Sequence, residues 1–137
     1  MKRPMTTLEF AHYPTDWHIS PVLDTGDFVF FSGITGVHPN SSVASDPTTQ
    51  FRDTFEFLRA NLQIAGLTYD HIVEMTTYHV DLRKHLNAFI KVKDEYIVEP
   101  YPAWTAVGIH ELITEGTLVE MRVIAKRRLV LDQQRGE

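Results

Sequence analysis

The chain is predicted to fold as an α+β protein, one sheet with two helices on a single face. Three observations carry this expectation. Residues 103–109 and 118–125 form two strand-like segments, alternating with period two in the second, joined by the polar turn Thr114-Glu115-Gly116. Two helical stripes precede them, one opened by Asp46-Pro47 and ended by Gly66, the other stopped by Pro100 and Pro102. Between the stripes, residues 71–80 are rich in Thr, Val, Ile and Tyr and read as a long strand. The predicted order is strand, strand, strand, helix, strand, helix, strand, strand.

Taken in order, Leu8 to Ala11 is a short strand candidate. Residues 12–20 mix Pro14, Asp16, Trp17 and His18 without either period and read as an ordered loop. Phe28-Val29-Phe30-Phe31, with Gly26-Asp27 before it and Ser32-Gly33 after it, has the signature of a buried central strand. The glycines of Ser32-Gly33-Ile34-Thr35-Gly36 suit either a sharp bend or a ligand held against backbone N–H groups. In the first helix, Phe51, Phe55, Leu58, Leu62 and Ala65 recur at steps of three and four and form the core stripe. Arg52, Asp53, Glu56 and Arg59 fall on its solvated side. In the strand that follows, Thr77 and His79 suggest one face that is only partly dry. Leu86, Phe89, Ile90, Tyr96 and Ile97 form the stripe of the second helix.

The last two strands divide most clearly. Val119, Met121, Val123 and Ala125 make a core face, whereas Leu118, Glu120, Arg122 and Ile124 point the other way. A carboxylate and a guanidinium on one sheet face suit a dry interior only if they pair or line a wet cleft. Trp104, Ala106, Gly108 and His110 share a face of the preceding strand, and its small residues leave room for a neighbour. With both helices on one side, the other sheet face lacks cover within the chain. That implies self-association.

Composition narrows the classes. A chain of 137 residues, 43% hydrophobic, suits one domain spanning 1–137. It has no cysteine, which excludes disulfides, thiolate ligands and a cysteine nucleophile. The start, Met1 to Thr6, has two basic residues without an apolar run behind them, so no secretory signal is expected, and no segment reaches membrane-spanning length. A cytoplasmic protein with no membrane partner is the expectation. A formal net charge of −5 disfavours nucleic acid as a partner, and Lys126-Arg127-Arg128 reads as a solvated strand end. The seven histidines have no ligand spacing, so no metal is expected. Ser32 lacks the Gly-x-Ser-x-Gly elbow of a nucleophilic serine.

Several segments together resemble the Rid family of reactive intermediate deaminases, also called YjgF. They are residues 26–33, Ala65-Gly66-Leu67, residues 76–82, Tyr96, Pro102-Ala103 and residues 119–125, in the family's order. The resemblance implies a chorismate-mutase-like fold with a six-stranded mixed sheet and a homotrimer with a ligand cleft at each subunit interface. It also implies hydrolysis of an imine or enamine to a carbonyl compound and ammonia, with no metal or cofactor.

Carried over by position, Ser32, Gly33 and Glu120 match the family's site, Glu120 standing where a glutamate holds the attacking water. Trp104 stands at the place of the carboxylate-clamping arginine, Ile19 at that of a tyrosine and Lys93 at that of an asparagine. A neutral indole cannot make a bidentate bond to a carboxylate, so an atypical substrate is expected.

The candidate catalytic residue is therefore Glu120, and the candidate substrate-binding residues are Ser32, Gly33, Trp104, Ala106, Arg122, Lys93 and Ile19. Glu120 is read as the water-positioning group or as the ion-pair partner of Arg122. Trp104 either stacks on a planar ligand or fills a subunit contact. Three functions stay open: an imine or enamine deaminase, a non-catalytic ligand-binding or chaperone-like trimer, and an endoribonuclease or translation inhibitor. The acidic charge and the lack of a catalytic histidine pair make the last the weakest.

Overall fold

A computed structural model describes residues 1–128 of the chain. The single-domain expectation runs on to Glu137, and residues 129–137 lie outside the described ones. Six strands form one mixed sheet: β1 (Arg3–Met5), β2 (Val22–Asp24), β3 (Phe28–Ile34), β4 (Ile72–Val80), β5 (Ala103–Ile109) and β6 (Val119–Lys126). Their order across the sheet is β1-β2-β3-β6-β4-β5, and all neighbours are antiparallel except β4 and β5. Helices α1 (Pro47–Ile64) and α2 (Leu82–Tyr96) lie on one face, with α2 forming the crossover between the parallel strands β4 and β5.

Each helix forms where its sequence signals place it. Asp46 is the N-cap of α1 and accepts from the backbone N–H of Thr49 at 2.9 Å, while Pro47 fills the first helical position, where no donor is needed. Gly66 takes φ +74°, the left-handed value that ends the helix. The stripe Phe51, Phe55, Leu58, Leu62 and Ala65 is buried, as expected, against Val29, Phe31, Met75, Phe89, Met121 and Val123. Phe51 and Phe55 meet Phe89 of α2 at ring distances of 5.4 and 5.9 Å, so the two helices share one aromatic layer. Arg52 makes two hydrogen bonds to Glu95 across the outer side.

Four expectations need correction. Residues 8–10 form a 3-10 turn, not a strand, and the two strands that precede β3 are β1 and β2, three residues each. The segment after it is not irregular: Tyr13–Trp17 forms one π-helical turn. Thr77 and His79 do not mark a wet face, because both are fully buried under the helices. Lys126 and Arg127 are more than a solvated end. Lys126 pairs with Asp27 at 3.0 Å, and Arg127 donates to Asp24, to the carbonyl of Gly26 and to that of Ala65, tying the end of β6 to two turns.

The face of the sheet opposite the helices has no cover within the chain. Phe28 and Phe30 of β3, Val107 of β5 and Arg122 of β6 are exposed on it. No helix of the described residues is long and apolar enough to cross a membrane.

Candidate functional site

The site is organised by a bulge in β3. Phe31 pairs with Val123 and Ile34 with Met121, so Ser32 and Gly33 together oppose the single residue Arg122. The bulge presses β3 towards the side chain of Glu120. A Cβ built on Gly33 would lie 2.6 Å from Cδ of Glu120, so only glycine lets this carboxylate lie across the strand. Ser32 secures the bulge from the other side: its hydroxyl donates to the carbonyl of Ser20 at 2.7 Å and its N–H to that of Pro21 at 3.0 Å. With both donors spent, Ser32 can only accept a bond from a ligand.

Beside the bulge opens a pocket of about 300 Å³. Its floor includes Ser32, Gly33 and Glu120, and Ile19 stands at its edge. The opposite wall comes from the turn at residues 10–17, where Tyr13 stacks on Phe10 at 5.8 Å and meets Trp17 edge-on at 5.9 Å. Burial pushes the Glu120 carboxyl above its ordinary value. Burial, and then the charge of Glu120, pushes the Tyr13 phenol up as well. Tyr13 was missed in the sequence, where Ile19 is aligned with the family's tyrosine. A π turn has neither strand nor helix periodicity to mark which side chains it aims inward. At the rim, His38 bonds Asp53 through Nε2 at 2.9 Å, and its ring packs edge-on against Phe57.

The remaining candidates are divided among three places. Arg122 lies on the far side of the bulge, where it lines a shallow depression of about 320 Å³ together with Ile19, Ser32 and Phe30. Among the described residues it makes no ion pair, so of the two readings of Glu120 the bridge to Arg122 is not formed within the chain. Trp104 and Ala106 pair with Met75 and Thr77, which puts them on the helix side of the sheet rather than on the face of Glu120. Trp104 does not line the Glu120 pocket of its own chain. Its indole N–H donates to the Thr77 hydroxyl at 2.9 Å, and its ring lies 4.5 Å from Nζ of Lys93. Lys93, 8% exposed, is thus a nearly buried ammonium resting on an aromatic face. Gly108, on the same side of β5, faces Leu82 of α2, and a Cβ built on it would sit in ordinary contact with that side chain at 3.5 Å.

The comparisons with known proteins follow this division. Residues 12–127 match the family described as Endoribonuclease L-PSP, a span that includes Glu120, the Ser32-Gly33 bulge and the sheet from β2 to β6. This chain belongs to the L-PSP family. It is 36% identical over 108 residues to the RutC family protein YjgH of Escherichia coli K12, covering 78% of this chain and 81% of that one. A RutC family protein of Pyrococcus abyssi is 32% identical over 111 residues, covering 77% and 84% of the two chains. The solved structure of YjgH superimposes with a TM-score of 0.76 at 34% identity, over 82% of this chain and 86% of that one. TdcF of E. coli, solved with bound serine, gives 0.73 at 28% identity, over 80% and 88%. The Rid or YjgF resemblance and its chorismate-mutase-like sheet are therefore borne out for this L-PSP protein. Among its described residues there is no group of three or more His, Asp or Glu placed to hold a metal ion.

Proposed function

We propose that this L-PSP protein is a small-molecule deaminase that hydrolyses an imine at Glu120. The observation that carries the reading is the carboxylate itself, lying across the Ser32-Gly33 bulge in the lining of the pocket, with its pKa raised by burial. Ionised, Glu120 takes a proton from water as the water oxygen bonds to the carbon of the protonated imine and the C=N electron pair moves onto nitrogen, giving a neutral carbinolamine. Glu120 then returns that proton to nitrogen, the C–N bond breaks, and the hydroxyl proton passes to the departing ammonia as the carbonyl forms, so a carbonyl compound and ammonium leave. Tyr13, at the opposite wall, is placed to orient water or the nitrogen.

Family membership supports the coarser statement, a Rid-like protein of small molecules. The bound serine of TdcF supports an amino-acid-sized ligand for that relative. Glu120→Gln tests the reaction. With imines generated in situ by an amine or amino-acid oxidase and ammonia release followed, the variant should be slower by about 10²-fold or more. It should also melt higher than wild type at pH 7, because the folded chain no longer holds a carboxylate whose ionisation burial opposes, and the gain should vanish in acid. Equal rates would remove Glu120 from the chemistry.

A further inference from the structure

Two histidines line the pocket, His12 and His38, and the second is taken up by Asp53 at 2.9 Å. No lysine or arginine of the described residues lines the pocket, and Glu120 is its carboxylate. Arg122 opens into the separate depression beyond Ser32, and Lys93 is held on Trp104 at the other face of the sheet. The wall facing Glu120 is aromatic, built from Phe10, Tyr13 and Trp17. Thr117 also lines the pocket, and its hydroxyl is buried without a hydrogen-bond partner among the described residues. A carboxylate ligand entering here would meet Glu120 with no lysine or arginine to balance it, a like-charge contact in a partly desolvated site. A flat cation would meet a carboxylate at one end and ring faces along its body.

We propose that the pocket takes an imine that carries no carboxylate: an aryl or alkyl iminium whose nitrogen faces Glu120 and whose apolar body lies against Tyr13 and Trp17. The substrate is then what an oxidase makes from a simple primary amine, rather than from an amino acid. Its hydrolysis forms a C–O bond from water and breaks the C–N bond, with no change in oxidation state, so an aryl imine yields the aldehyde and ammonium. This rests on the reading of the pocket as an imine site, and the test separates the two.

Benzamidine is a stable planar cation with the shape of an aryl iminium, and benzoate is its anionic counterpart. Binding of each is measured by calorimetry and by the shift of the Trp17 indole N–H in NMR, assigned with Trp17→Phe. Benzamidine should bind at least about 10-fold tighter than benzoate, and Glu120→Gln should remove most of that preference while leaving the fold intact. Turnover is then compared between the imine of benzylamine and 2-iminopropanoate, and the first should be faster. Tighter binding of benzoate, or benzamidine binding indifferent to Glu120→Gln, overturns the proposal. So does a benzoate preference lost in Arg122→Ala or Lys93→Ala, which would bring a cation of this or a neighbouring copy into the pocket. Faster hydrolysis of 2-iminopropanoate overturns the proposal and leaves imine chemistry standing. A benzamidine preference with neither imine hydrolysed supports the ligand class and overturns the catalytic reading.

Discussion

Glu120 and Arg122 stand two positions apart on one strand and differ in what surrounds them. Glu120 is half-buried under a glycine bulge beside a phenol, and Arg122 is exposed on a bare sheet. The alternation of β6 was enough to find both, since any strand with a core on one face must aim every second side chain away from it. What alternation cannot show is which side of a bulge each residue serves. His79 shows the same limit in reverse, for its polarity suggested water while the fold buries it. Trp104 donates to the Thr77 hydroxyl, which leaves that hydroxyl's hydrogen to bond Nε2 of His79 at 2.7 Å, so the imidazole sits neutral with its proton on Nδ1. Burial lowers its pKa to about 4. The unfolded chain takes up this proton near pH 6.5 and the folded chain near pH 4. The stabilisation is therefore complete above pH 6.5 and is lost as the pH falls through that window, by about 3 kcal/mol in all. His79→Gln, which can still accept from Thr77, should flatten the acid limb of stability measured by urea unfolding between pH 7 and pH 4. An unchanged acid limb would mean that other groups drive acid unfolding.

Among elements, those with long periodic stretches were legible: α1 from its cap, its stripe and Gly66, and β4, β5 and β6 from composition and alternation. β1 and β2 were not, because three residues cannot display a period, and their strand character comes from pairing with β3 rather than from their own sequence. Half of the candidate site was legible in the same sense. Ser32, Gly33, Glu120 and Ile19 do converge, whereas Trp104, Ala106 and Lys93 gather where α2 crosses β5. Here the substitution at position 104 has a local explanation. The indole face holds the Lys93 ammonium and its N–H satisfies Thr77, so residues 93 and 104 form one unit. Trp104→Arg alone should bring two cations together, lose that packing and destabilise by about 2–4 kcal/mol. Adding Lys93→Asn, the residue pair implied by the Rid resemblance, should restore more than about 1 kcal/mol of it. Denaturant unfolding of both single variants and the double variant measures the coupling. Additive losses would show that the two positions are independent.

At the scale of the whole molecule, the sheet is finished on one face only. Phe28 and Phe30 remain 40% and 38% exposed and Val107 38% exposed, all on the side away from the helices, with Arg122 and the shallow depression between them. An aromatic pair on β3 with a further exposed valine on β5 is costly to leave in water at about 25 cal/mol per Å² of apolar surface, and the helices lie on the other face. A second copy can cover it. The Rid resemblance implies three copies, closed about an axis, and closure removes every exposed patch at once. Light scattering after gel filtration should give about three times the chain mass at micromolar concentration. Phe30→Glu, a charge placed in the middle of the patch and away from the core, should shift the protein to monomer while circular dichroism stays unchanged. If the pocket is completed by the neighbour, that monomer loses imine hydrolysis together with its partners. A wild-type monomer at these concentrations would leave the apolar face without a cover and the pocket bounded by one chain. An active Phe30→Glu monomer would show instead that Glu120 and the wall around Tyr13 suffice.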